Sequence, residues 1–394
     1  MKKLLAITLC AALLISALTG CVNLAVDSPS PDIQDSTAEE NPPPAADDAE
    51  SGENGAGSGN DDGNGFDFEA AYQSFAPDTI MLRADDFDVT WGELFFNLHS
   101  NVNFIESAFG EITDWSEILY DDITFADSAL LSSVENALMY KAIEYGARLS
   151  GVFLDEEDLD IIQESFEQTI EMFGGEDELL KLLESEGLYS LDLFIYLYKT
   201  NSLADKLFSE IYGEFGLLLS DEDAAEMTDE DGYLTAKHIL IQNSEEGTDD
   251  ALSKADEILA QLDAYNGDDF NTFFDELMFT HSEDPGLELF QDGYLFRYGD
   301  MISSFYEATI ALEPGDYSRA VEGRNGYHIV YRLPLNFDIT PIALTAQNEF
   351  RTLRHLTALS LFELALLQWK EALELEHTPE FESLDFSAIF PIID

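Results

Sequence analysis

Six histidines, two cysteines and 81 carboxylates are the side chains of this 394-residue sequence with chemistry to offer. Cys10 lies inside an apolar run from Leu4 to Leu18 and Cys21 follows it, so beyond Cys21 the chain holds no thiol and can form no disulfide. There is no HExxH or comparable set of metal ligands, which speaks against metal-dependent hydrolysis. The stretch Asn60-Asp61-Asp62-Gly63-Asn64-Gly65 lacks the spaced ligands and closing Glu of a calcium loop. His238 and His328 each sit within an apolar run, and imidazole is the side chain suited to carry protons near neutral pH. Asp284, before Pro285, has the place of a turn residue, and His281 falls in the same loop, a kind of segment that often carries function. Met301 and Phe305 stand four residues apart, a spacing that core residues on one helical face share with pocket walls.

The elements that must position these residues follow from changes of period. Residues 233–242 read as a strand, 249–265 and 269–278 as helices, 294–296 as a short strand and 301–312 as a helix. Strands over 317–321 and 327–332 flank Arg324-Asn325-Gly326, where Asn-Gly tolerates positive φ at both central positions of a hairpin. This is a compact α+β order. On its N-terminal side, 80–90 reads as a short strand or turn, and Thr90 with Glu93 forms a capping box that opens a helix carrying Leu94, Phe95, Leu98 and Val102. Further helices are expected over 125–149, 155–173, 176–186 and 190–215, punctuated by Gly151, Gly174-Gly175, Gly187 and Gly216. A last helix over 345–377 is apolar on more than one side and needs a partner. The preceding helical region supplies one, so two separated chain segments would build one domain with the α+β part inserted.

The quoted pieces resemble the parvulin family over about a hundred residues, a quarter of the chain. Ala236-Lys237-His238-Ile239-Leu240-Ile241 is similar to its opening strand, and His281-Ser282-Glu283-Asp284-Pro285-Gly286 to the segment after its helices. Asp292-Gly293-Tyr294-Leu295-Phe296, Gly299-Asp300-Met301, Phe305-Tyr306-Glu307-Ala308, Leu312-Glu313-Pro314-Gly315-Asp316 and Asn325-Gly326-Tyr327-His328-Ile329-Val330 follow in the family's order. Each piece alone is weak; their ordered coincidence is strong. The resemblance implies a peptidyl-prolyl cis-trans isomerase with no cofactor and no metal. It makes Met301, Phe305 and Phe296 the lining of a proline pocket, His238 and His328 the paired histidines beneath the bound peptide bond, and Asp284 the group facing it. Gly323 departs from it, standing where some parvulins have a hydroxyl residue. With no basic cluster and no WW module, generic X-Pro clients are expected rather than phosphorylated ones.

The ends of the chain extend the resemblance. Lys2 and Lys3 before the apolar run, and small residues after it, are the layout of a secretory signal. Leu18-Thr19-Gly20-Cys21 resembles the lipobox of bacterial lipoproteins, which would make Cys21 the acylated residue; an ordinary signal or an uncleaved anchor is the alternative. The stretch to residue 74 is rich in Ser, Pro, Gly, Ala and acidic residues and reads as a disordered tether. The expected division is therefore a signal over 1–20, a lipidated cysteine and acidic tether over 21–74, a helical chaperone domain over 75–230, the parvulin domain over 233–334 and a C-terminal helix over 342–394 completing the chaperone domain. The parvulin part would have the order β-α3-β-α-β2 and an antiparallel sheet.

With 17 basic against 81 acidic residues, the net charge of −64 disfavours nucleic acid, whose phosphates need basic partners. An anionic membrane would repel the chain too, so attachment would be by lipid. Together these features resemble the PrsA-like foldase lipoproteins, with SurA-like chaperones as cousins. That implies unfolded or partly folded exported proteins with X-Pro bonds as partners, at the outer face of the cytoplasmic membrane. Subunit number is left open, with a dimer among the options. A non-catalytic holdase and a structural surface protein are the rival readings.

Overall fold

The computed structural model describes residues 68–228, 232–243, 248–384 and 389–390. The signal, Cys21 and the tether up to residue 67 lie outside the described residues. Helix α1 (Phe68–Tyr72) falls within the stretch expected as tether and is instead packed. Its Phe68 ring lies 4.1 Å from that of His99, and Tyr72 stacks on Tyr189 at 4.2 Å. The folded part therefore includes residues from Phe68 on, because these aromatic rings find partners the flanking composition does not announce.

The chain divides into two compact units, one holding the described residues up to Leu203 with those from Leu367 on, the other Ala204–Leu366. The first unit opens with the hairpin β1 (Ile80–Ala84) and β2 (Phe87–Thr90) and the helix α2 (Trp91–Phe109). Thr90 and Glu93 form the expected capping box. Glu93 also receives Lys141 at 2.6 Å, so the cap doubles as the partner of a buried lysine. The short pair β3 (Ile118–Tyr120) and β4 (Ile123–Thr124) precedes α3 (Phe125–Ser150), which a second box, Thr124 with Asp127, starts. Then come α4 (Glu156–Phe173), capped by Asp155, α5 (Glu176–Glu184) and α6 (Leu191–Tyr212). Trp91, Phe95, Leu98 and Val102 face inward from α2 into the main core.

The second unit begins with the end of α6 and α7 (Asp221–Thr228). It continues through β5 (Leu234–Gln242), α8 (Thr248–Ala264), α9 (Phe270–His281), β6 (Tyr294–Phe296), α10 (Ser303–Ile310), β7 (Val321–Gly323) and β8 (Gly326–Leu333). The sheet is antiparallel with order β6-β5-β8-β7. Between β5 and β6 stand two helices and turns over 285–289, where the order β-α3-β has three helices. Period two splits β5 and β8 between two cores. Ile239, Ile241, Ile329 and Tyr331 face α8 and α9, while Leu234, Ala236 and Val330 face the side of α10.

Three expectations change in this unit. The helix expected over 301–312 starts only at Ser303, because Ile302 is extended at φ −57° and ψ 143°; Met301 lies before the helix and does not share a helical face with Phe305. The strand expected over 317–321 is shifted: Tyr317 makes an isolated bridge with Tyr331, the Ser318 hydroxyl takes the Val330 N–H at 2.9 Å, and the regular strand runs over Val321–Gly323. The hairpin turns on Arg324-Asn325, not Asn-Gly, with Gly323 and Gly326 paired across it.

The chain then passes α11 (Ile342–Thr345) and enters α12 (Leu353–Ala372), β9 (Leu375–His377) and α13 (Pro379–Glu382). The single helix expected over 345–377 is thus broken. Asn348 in the left-handed region at φ 61° ends the first piece, and Leu375–His377 pairs with β1 as a third strand. Within the first unit, the returning Trp369 lies so close to Gly146 of α3 that an added β-carbon would stand 2.2 Å from its ring. Among the described residues, no helix is long and apolar enough to cross a membrane.

Candidate active site

The register of β5 and β8 brings the two histidines together. His238 pairs with Val330 and His328 with Leu240, so the histidines are diagonal neighbours on one face of the sheet. Their ring centroids are 5.2 Å apart. Phe305 of α10 meets both edge-on, at 5.2 Å from His238 and 5.6 Å from His328. Phe296 of β6 lies 5.5 Å behind Phe305.

Beyond Ala236, β6 no longer covers the edge of β5, and the residues after α9 take its place. Ser282 Oγ accepts the Leu240 N–H at 3.1 Å, Glu283 N–H donates to the Leu240 carbonyl at 2.8 Å, and Glu283 Oε2 accepts the Gln242 N–H at 2.6 Å. This lacing sets Asp284 over His238, with Oδ2 at 3.1 Å from Nε2. The contact has ion-pair distance without hydrogen-bond alignment, and neither ring nitrogen of His238 has a hydrogen-bond partner among the described residues. Oδ1 of Asp284 accepts the Gly286 N–H at 3.1 Å, closing the turn, and Oδ2 accepts the Tyr294 hydroxyl. Asp284 is thus both the turn residue and the carboxylate of the site.

Burial pushes the Asp284 carboxyl up, but the His238 ring and the Tyr294 hydroxyl outweigh it and hold it at about 2. Burial together with the His238 charge lowers His328 to about 4, against a smaller opposing effect of Asp284. Burial and then Asp284 raise Tyr294. Near neutral pH the site therefore holds a carboxylate, a neutral His328 and a protonated tyrosine.

All six residues expected in the site are gathered in this part of the second unit, but they are not equally accessible. His238 is 6% exposed, Phe296 0% and Phe305 1%, so the two rings form a packed floor; of the pocket residues only Met301 is part-exposed. At Gly323, an added β-carbon would lie 2.6 Å from His328 Nε2. The imidazole occupies the space that a side chain there would need. Sequence reasoning missed Tyr294 and Ser282 as parts of the site. Tyr294 reads as an ordinary strand aromatic, and no spacing signal ties it to a loop ten residues earlier.

Among known families, residues 224–332 match the one described as the PPIC-type PPIASE domain. The chain carries a PPIC-type PPIase domain. This PPIC-type domain includes every residue of the constellation above, from His238 to His328. The chain is also similar to the foldase protein PrsA of Halalkalibacterium halodurans, at 30% identity over 188 residues, 44% of this chain and 50% of that protein. The foldase protein PrsA of Oceanobacillus iheyensis is 24% identical over 233 residues, 57% of this chain and 65% of that protein. The chain spans about half the length of the first of these relatives and 65% of the second. Among solved structures, a peptidylprolyl isomerase (PrsA) from Bacillus cereus is 16% identical, with a TM-score of 0.29 over 70% of this chain and 99% of that one.

Proposed function

We propose that the chain is a parvulin-type peptidyl-prolyl cis-trans isomerase and foldase for exported proteins. Rotation about an X-Pro bond must break amide resonance against a barrier of about 18–20 kcal/mol, and needs neither a nucleophile nor a metal. What helps is a surface that grips the proline ring and removes water, because the planar, charge-separated amide loses more hydration than the twisted one. The observation that carries this reading is the packing of His238 and His328 against Phe305, with Met301 part-exposed beside them and Asp284 held as a carboxylate. In this reading a proline ring rests on Met301 with Phe305 and Phe296 behind it. The imidazoles line the peptide bond, and Asp284 acts on the bond through His238.

The helical unit built from both ends of the chain handles unfolded segments, and Cys21 anchors the protein by lipid at the outer face of the cytoplasmic membrane. A non-catalytic holdase is the second reading, favoured by the burial of Phe296 and Phe305, which leaves little of the pocket open. A protease-coupled assay on short X-Pro peptides separates the two. The purified chain is expected to accelerate isomerisation, and Met301→Ala to lower kcat/KM about tenfold through lost apolar contact. An uncatalysed rate with the intact chain would reject the isomerase and leave the holdase.

A further inference from the structure

Tyr294 stands at the centre of the site without belonging to the pocket or to the histidine pair. One face of its ring stacks on His238, with centroids 5.3 Å apart and planes at 25°. Phe290 packs against it at 4.5 Å. Its hydroxyl donates to Asp284 Oδ2, the same oxygen that faces His238 Nε2. The register of β6 on β5, with Tyr294 opposite Ala236, places it on the same sheet face as His238 two residues further along β5.

The loop is built to admit this hydroxyl. An added β-carbon at Gly286 would lie 2.2 Å from Tyr294 Oη, so any side chain there would displace the phenol or open the turn. The same Gly286 donates its N–H to Asp284 Oδ1. Both oxygens of the carboxylate are therefore held by the protein, one by the turn and one by the tyrosine. That leaves Asp284 a fixed negative charge 3.1 Å from His238 Nε2 more than a free group for substrate.

We propose that Tyr294 is a positioning residue of the site, its hydroxyl fixing Asp284 and its ring backing His238, so that the imidazole keeps one orientation beneath the peptide bond. This rests on the isomerase reading. A charged hydrogen bond of this kind contributes more than a neutral one, and a misplaced catalytic group loses rate steeply. The titratable groups that face Asp284 are His238 on β5, Tyr294 on β6 and His328 on β8. The neighbouring Glu283 is engaged with the Gln242 N–H.

Tyr294→Phe keeps both stacking faces and removes only the hydroxyl, so it isolates the positioning effect. In the full chain it is expected to lower kcat about tenfold with KM nearly unchanged. It should also move the Asp284 titration, followed by carboxyl NMR, upward from its position in the wild type, because the Tyr294 hydroxyl helps to hold that carboxyl low. A packing role alone would lower the melting temperature without moving that titration. Unchanged turnover with an unmoved titration would overturn the proposal, as would a loss of stability with full turnover per folded molecule. If the wild type itself shows no turnover, the isomerase reading fails, and the Asp284 titration in the two proteins still decides whether Tyr294 holds the carboxylate.

Discussion

At Gly323 a single β-carbon decides how close His328 can stand to its own hairpin. With 2.6 Å between the position of that carbon and Nε2, Gly323→Ala must turn or shift the imidazole away from His238 and Phe305. The expected outcome is a loss of about tenfold in kcat/KM, with a melting temperature close to wild type because the strand is short and partly exposed. Peptide kinetics and a thermal melt check this; full activity would mean that the ring can relocate without loss. At this scale the sequence was legible wherever a residue's neighbours follow from its own element. The pairing of His238 with His328 and the place of Asp284 were expected from the resemblance, whereas the shared face of the histidines follows from the register of β5 on β8. The pairing of Tyr294 with Asp284 was not legible, because it depends on the path of 282–286 along the edge of β5. The placing of Met301 on α10 failed because Ile302 adopts an extended conformation that its side chain does not announce.

Elements were best read where local bonding closes them. The Thr90–Glu93 capping box, read from the sequence, and the Asp155 cap satisfy helix ends within a few residues, and the starts of α2 and α4 follow from them; the Thr124–Asp127 box that opens α3 works the same way but was not read. The elements that were missed are those whose partners are remote. Leu375–His377 becomes a strand only because β1 offers an edge almost 300 residues earlier, with Thr378 bonding to Met81 across the same gap. The strand expected over 317–321 begins regularly only at Val321, the Ser318 hydroxyl taking one bond of the ladder before it. The seating of the end of α12 in the first unit is open to test where Trp369 meets Gly146. In an exposed helix Gly→Ala stabilises by roughly 1 kcal/mol. At Gly146 the ring of Trp369 occupies the space, and overpacking is expected to reverse the sign, destabilising by about 1–3 kcal/mol. Urea unfolding of Gly146→Ala followed by tryptophan fluorescence reads the sign; a stabilised variant would show that Trp369 does not seat there.

For the whole molecule, charge and composition constrained partners more than shape. The net charge of −64 argues against nucleic acid and favours solubility. The chain forms two units, the described residues up to Leu203 with those from Leu367 on, and Ala204–Leu366. Their borders fall inside α6 and α12, where helical periodicity runs on without a break and no change of composition marks them. The central claim is that this chain turns X-Pro bonds, and does not merely hold unfolded protein. The most direct measurement is the slow refolding phase of a client limited by prolyl isomerisation, which takes tens of seconds uncatalysed, followed with substoichiometric amounts of the full chain. The rate is predicted to rise in proportion to the amount of chain added; a slow phase that stays unchanged while aggregation falls would contradict the account.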